Sequence, residues 1–162
     1  TVNDDLQPSS RMVLLKSYNK EGFIFYTNLN SKKGTSIKKN NKVALNFHWK
    51  SLRKQIRIQG CAEKINNEDA DKYFKSRPAD SKIGAWASNQ SSELTDRKDF
   101  EKEIVKYKNK FGDIDIPRPE FWTGFKVKPN LIEFWKEMPF RLHDRVEYFI
   151  KGNKWFHRRL YP

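Results

Sequence analysis

The sequence predicts a mainly β fold, a small antiparallel barrel with helices at its periphery. Three observations lead there. Apolar runs return on themselves through short turn segments, one strand alternates cleanly between faces, and helices are inserted without any repeating strand–helix–strand order. The last point removes a parallel α/β sheet. A chain of 162 residues is long enough for a real core and fits one domain spanning 1–162.

The elements follow in order. Arg11–Tyr18 (RMVLLKSY) is predicted as a strand, Asn19-Lys-Glu-Gly22 as its turn, and Phe23–Thr27 (FIFYT) as the returning strand of a hairpin. Ser31 can cap a short helix through Ile37. Val43–Trp49 and Gln55–Ala62 are strands. In the second, Ile56, Ile58 and Ala62 point one way and Gln55, Arg57 and Gln59 the other. Asn67–Lys75 is a helix, acidic in its first turn and stopped near Arg77-Pro78. A second helix runs from Asp96 to Phe111, with Phe100, Ile104, Tyr107 and Phe111 on one stripe. Residues 113–119 form a proline-bearing connector. Trp122–Val127, Leu131–Trp135 and Arg145–Lys151 are strands, the last turning at Gly152-Asn153 into Trp155–Leu160.

Composition narrows the function classes. An aromatic fraction of 14% favours a packed core despite 33% charged residues and a mean hydropathy of −0.92. One cysteine, Cys61, excludes an internal disulfide and suggests a reducing compartment such as the cytoplasm. His48, His143 and His157 show no zinc-ligand spacing, so no metal is expected. Apolar runs are too short to span a membrane and no signal peptide is visible. The chain starts at Thr1 without methionine, which suggests residues upstream. The net charge of +13 attracts anions: nucleic acid, anionic lipid or phosphorylated small molecules. Most lysines are interleaved with acids, as in residues 100–106, which also fits an ordinary solvated surface.

The 7 glycines never occur as Gly-x-Gly, which excludes a dinucleotide fingerprint, a P-loop and a nucleophile elbow. A bound phosphate must then be held by side chains and helix N-termini. Candidates are Arg11 with Lys16, Lys32 with Lys33, Arg77 with Ser81, and Gln90 with Ser91 and Ser92. Each also has a structural reading as a charged strand end, a solvated helix turn or a surface pair. The stretch Phe140–Arg145 (FRLHDR), if extended, puts Arg141, His143 and Arg145 on one face, three cationic or protonatable groups in a row. They await an anionic partner, or they mark a charged edge strand that blocks sheet-to-sheet pairing.

Several stretches together resemble the pyridoxamine (pyridoxine) 5'-phosphate oxidases. They are RMVLLK at 11–16, FYTN at 25–28 with Ser31-Lys-Lys33, Gln55-Ile-Arg57, YFKSRPADS at 73–81, IGAW at 83–86, Gln90-Ser-Ser92, Phe121-Trp122, the run from Ile132 through Arg145, and RLYP at 159–162. The resemblance implies an FMN-binding split barrel working as a homodimer with FMN at the subunit interface. It also implies oxidation of pyridoxamine or pyridoxine 5'-phosphate to pyridoxal 5'-phosphate, with dioxygen as acceptor and hydrogen peroxide released.

By that resemblance, FMN lies against Arg11, Met12, Val13, Leu14, Leu15, Lys16, Tyr26, Thr27, Lys32, Lys33, Gln55, Gln90, Ser91, Trp135 and Arg145. The substrate lies against Lys16, Tyr73, Arg77, Ser81, Arg141, Leu142 and His143. Tyr73 and Arg77, four apart, would share a helix face, and Arg77 can grip a phosphate bidentately. Arg141 and His143 are the expected catalytic pair, orienting substrate and handling protons, because histidine titrates near neutrality. Lys32 and Lys54 stand where the family usually has arginine, and Lys136 where a neutral residue or histidine is commoner. The family's N-terminal segment, expected ahead of Thr1, is absent from this sequence. Two other readings stay open: a split-barrel flavoenzyme of the phenazine type, and a basic β-barrel binding nucleic acid through 155–159.

Overall fold

The computed structural model describes residues 1–112 and 115–162. The strands are β1 (Ser17–Asn19), β2 (Gly22–Asn28), β3 (Lys42–Trp49), β4 (Lys54–Lys64), β5 (Trp122–Lys136), β6 (Asp144–Lys151) and β7 (Lys154–Leu160). The helices are α1 (Lys32–Lys39), α2 (Asn67–Lys75), α3 (Ala79–Ala87) and α4 (Arg97–Phe111). All strand pairs are antiparallel, as expected.

The long strand β5 organises the sheet. β4 pairs along one of its edges from Phe125 to Lys136, with β3 outside it. On the other edge, β2 pairs with Trp122–Val127 and β6 with Leu131–Lys136. β1 and β7 extend these two branches, so the sheet curls without closing. One core cluster, Phe25, Ile37, Val43, Ala62, Phe125 and Val127, lies under α1. A second, Phe74, Ile83, Phe111, Ile116 and Trp122, holds α2, α3 and α4 against the start of β5. Each buried Phe or Ile contributes roughly 1.5–3 kcal/mol relative to exposure.

The caps form where their residue types predict. Ser31 Oγ accepts from Gly34 N at 3.1 Å, and Asp96 accepts from Lys98 N at 2.9 Å. Four expectations need correction. The first strand is only Ser17–Asn19: pairing starts where Lys16 N donates to Ile24 O at 2.9 Å, and residues 11–15 find no strand edge, so their β-propensity is not expressed. The two strands expected at 122–127 and 131–135 are one continuous β5. Pro129 is accommodated at a register shift opposite Gly60, where a Cβ would strike the Lys128 carbonyl. Helix α3, between the two expected helices, was not anticipated. Finally, Phe140–Arg145 is not extended: Pro139–Arg141 form a 3-10 turn with Phe140 at φ 55° and Arg141 at φ 63°, and β6 starts only at Asp144. The connector expected at 113–119 begins on Asp113 and Ile114, which lie outside the described residues.

Candidate active site

The first group of site residues gathers at the N-terminus of α1. Thr27, near the end of β2, turns its hydroxyl to Lys33, whose ammonium donates to it. Lys33 is 7% exposed, and Lys32 beside it faces solvent. Burial first, and the charge of Arg11 second, push the Lys33 ammonium down to about 8. Arg11 donates to the hydroxyls of Thr1 and Ser9, both at 2.7 Å. Gln90 closes the group from the far side of α3: its Oε1 accepts from Asn28 N at 3.4 Å. Ser91 follows at φ 73°. Two lysines and no acid in the first turn of a helix oppose the macrodipole and leave room for an anion. Val13 packs on the core beneath, whereas Met12, Leu14 and Leu15 are exposed.

The second group is an aromatic stack with a cation at each end. Tyr26 lies 4.0 Å from Tyr73 and 5.1 Å from Trp122, with interplanar angles of 19° and 13°. Lys16 Nζ stands 6.0 Å from the Tyr73 ring centre, and the Arg77 guanidinium 4.7 Å from Trp122. Arg77 Nη1 is buried without a hydrogen-bond partner, and burial lowers the guanidinium's pKa. An orphaned buried donor is costly and points to a missing acceptor. The expected helical pairing of Tyr73 and Arg77 is corrected here. α2 ends at Lys75, and Arg77 follows in a turn closed by its N–H on Phe74 O at 3.1 Å. Ser81 sits in the first turn of α3.

The third group lies on the other half of β5. Gln55, Trp135 and Arg145 are register partners on β4, β5 and β6, forming one lateral row. The His143 ring is 4.6 Å from Trp135, and its Nδ1 accepts from Met138 N at 3.3 Å. Arg141 and Leu142 are exposed beside it. Arg145, expected to lack an anionic partner, has one: its Nε donates to Glu133 Oε1 at 3.0 Å. Arg57 donates to the other Glu133 oxygen. Glu133, 1% exposed, was missed in the sequence. Only its cross-strand register with Arg57 exposes the role.

Among the described residues, Arg11, Lys16, Lys33, Arg77 and Arg141 make no ion pair with a carboxylate. The first two groups therefore offer two separate phosphate-sized demands. FMN carries one phosphate and a phosphorylated vitamin the other, so the donor set fits both. No three-residue metal-ligand cluster occurs among the described residues.

An open antiparallel barrel with peripheral helices and two cation clusters is consistent with the split-barrel flavoprotein class. The comparisons agree. Residues 1–111 match the family model described as pyridoxamine 5'-phosphate oxidase, and residues 122–162 the one described as pyridoxine 5'-phosphate oxidase C-terminal dimerisation region. The chain belongs to the pyridoxamine 5'-phosphate oxidase family. It is 49% identical to a protein of Chelativorans sp. strain BNC1 over 163 residues, covering 100% of this chain and 78% of that one. It is 50% identical to one of Bartonella henselae over 165 residues, covering 100% and 80%. Both are named pyridoxine/pyridoxamine 5'-phosphate oxidase. Among solved structures, PhzG from Burkholderia lata, in complex with tetrahydrophenazine-1-carboxylic acid, superposes at TM-score 0.94 with 30% identity, covering 100% of this chain and 79% of that one. An FMN-binding protein of Nostoc punctiforme superposes at 0.79 with 13% identity, covering 100% and 85%, a likeness of fold.

Proposed function

We propose that this chain is an FMN-dependent oxidase converting pyridoxamine or pyridoxine 5'-phosphate to pyridoxal 5'-phosphate, with dioxygen as acceptor and hydrogen peroxide released; with the amine substrate, water hydrolyses the imine product to the aldehyde and ammonia leaves. One observation carries the reading: two separate cation groups without carboxylate partners, one at a helix N-terminus and one on an aromatic stack. They suit the two phosphates such a reaction brings together. Bound FMN supplies the redox chemistry, accepting two electrons from the substrate carbon and delivering them to dioxygen.

The chain's own residues bind and orient. Arg11, Lys33 and the α1 N-terminus hold the cofactor phosphate, with Thr27 and Gln90 fixing Lys33 and the end of β2. Arg77 and Lys16 hold the substrate phosphate, with Ser81 and Tyr73 beside them. Gln55, Trp135 and Arg145 form the flavin-facing row, and Arg141 and His143 orient the reacting end; with His143 Nδ1 accepting from Met138 N, Nε2 carries the ring hydrogen and is the nitrogen that can donate.

These residues need two chains. From Thr123, opposite Thr27, to Trp135 the strand β5 runs for roughly 40 Å at about 3.3 Å per residue. One flavin cannot touch both ends within one subunit. A homodimer, in which the far half of β5 from one subunit meets the α1 group of the other, supports two equivalent sites at its interface, with one FMN in each. The chain then acts as one domain, since β5, in the C-terminal family match, also forms the centre of the sheet of the N-terminal match. No described helix is long and apolar enough to cross a membrane. The lone free cysteine fits the reducing cytoplasm.

The nucleic-acid reading weakens because Arg158 and Arg159 are occupied by Glu147 and Asp144. The phenazine-type reading rests on a relative of 30% identity, against 49–50% for the oxidases. The test is direct. Purified protein should carry or take up flavin absorbance and form pyridoxal phosphate from pyridoxamine 5'-phosphate under oxygen. A colourless protein that FMN cannot reconstitute sinks the proposal.

A further inference from the structure

Trp122 belongs to the aromatic stack of the substrate group, but the proposed function gives it no role of its own, and it is tightly held. It is 7% exposed at the first position of β5. Its backbone is held at both ends: its N–H donates to Pro119 O at 2.9 Å, and Arg118 Nη1 donates to its carbonyl at 2.7 Å. Arg118 is in turn anchored on α2 by Asp71 at 2.6 Å. Tyr26 stacks on the indole at 5.1 Å, and Phe74 meets it edge-on at 5.0 Å and 70°. Against this fixed indole lies the Arg77 guanidinium, 4.7 Å from the ring, with Phe74 at 5.3 Å.

We propose that Trp122 is a positioning residue for the substrate phosphate: its indole face holds the Arg77 guanidinium plane so that the arginine's edge donors, Nη1 among them, meet the phosphate already aligned. The inference rests on the oxidase reading and on Arg77 as the phosphate grip. A long arginine side chain loses rotamer freedom when it orders on a ligand, and an aromatic face removes that freedom beforehand. Tryptophan offers the strongest cation–π surface, and the planar guanidinium, unlike an ammonium, can lie flat on it while its edge stays free. No carboxylate holds Arg77 among the described residues, so the Trp122 and Phe74 rings hold it, Trp122 being the nearer.

The test compares Trp122→Leu, Trp122→Phe, Arg77→Ala and the double variant Arg77→Ala/Trp122→Leu in the FMN-loaded dimer. KM and kcat for pyridoxamine 5'-phosphate are measured alongside the FMN dissociation constant from flavin fluorescence. Trp122→Leu should raise KM at least tenfold, with kcat within threefold and the FMN constant within twofold of wild type. Trp122→Phe, which keeps a ring face, should recover KM to within about threefold of wild type. The double variant should be no worse than Arg77→Ala alone. A KM unchanged in Trp122→Leu overturns the inference, as do a phenylalanine no better than leucine and losses that multiply in the double variant. If the leucine variant does not fold, Trp122→Phe decides alone. A KM rise that vanishes in the Arg77→Ala background supports the role, and one that persists there overturns it. A wild-type protein without flavin or turnover would instead remove the oxidase reading itself.

Discussion

Glu133 and Arg145 are joined across β5 and β6 by a 3.0 Å bond from Arg145 Nε, and the same carboxylate takes Arg57 of β4 on its second oxygen. Directly opposite Glu133 in the register stands Glu147, itself buried and bound by Arg158. Two facing carboxylates in a sheet repel, and three arginines offset them. The row lies one step along the same faces from Gln55, Trp135 and Arg145. The row proposed to face the flavin therefore rests on a buried ionic one.

Replacing Glu133 by Gln should lower unfolding free energy by about 1–3 kcal/mol at pH 7, since it leaves two arginines beside a neutral amide. Burial works to raise the Glu133 carboxyl, and hydrogen bonds from Arg145 and Arg57 outweigh it, so its pKa lies below the ordinary 4.5. A carboxyl depressed in the fold stabilises fully above its unfolded value and loses that contribution as pH falls through the folded one. The gap between wild type and Glu133→Gln should thus shrink as pH drops from 5 towards 3. Urea denaturation at several pH values measures it, and a constant gap would contradict the ion-pair account.

If Lys33 holds the FMN phosphate as proposed, flavin binding should be sensitive on the alkaline side. Its pKa, about 8 in the ligand-free chain, lies below the unfolded value of 10.5. Between those values the unfolded chain binds more protons, so this group's destabilisation of the apo fold relaxes as pH rises. A phosphate needs the ammonium, so binding takes up a proton above pH 8. The FMN dissociation constant should rise by up to tenfold per pH unit above that point. Lys33→Arg, which stays charged, should flatten the slope, as fluorescence titration at pH 7 and pH 9.5 can check.

Arg141→Ala should separate activity from folding. The side chain is exposed and makes no ion pair among the described residues, so its loss should move the melting temperature by no more than about 2 °C. If it orients the substrate, kcat/KM should fall by 10²-fold or more, on the order of 3 kcal/mol of transition-state stabilisation. Steady-state kinetics beside a thermal melt decide between this and a purely structural arginine.

Local chemistry made most elements legible before any coordinates. The turn at Asn19–Gly22, the Ser31 cap and the Phe100–Phe111 stripe each fix their own element within a few residues. Features that depend on distant partners were not legible. Val13-Leu-Leu15 is an apolar run that reads as a strand, but among the described residues no strand pairs with it. Pro129 resembles a strand end, and only Gly60 across the ladder lets β5 pass it. Helix α3 starts straight after Pro78 and has Gly84 inside it, two features that mask helical periodicity. Alternation failed at Phe140–Arg145 because two residues there take positive φ. The candidate site residues were named by resemblance, and the Glu133 ion pair emerges only from the register.

Subunit mixing tests whether each site draws on both chains. Lys33 lies in the α1 group and Arg141 beyond the far end of β5, so in a twofold dimer each site would take one residue from each subunit. Lys33→Met and Arg141→Ala homodimers should both be nearly inactive. In a heterodimer of the two, one site collects both substitutions and the other collects neither. Random reassociation of equal amounts makes half the dimers mixed, each with one intact site, so about a quarter of wild-type activity should return. Co-expression with two affinity tags, followed by assay of the purified mixed dimer, should give about half of wild-type activity per dimer. If each site were built from a single chain, every site in the mixture would carry one lesion and no activity would return.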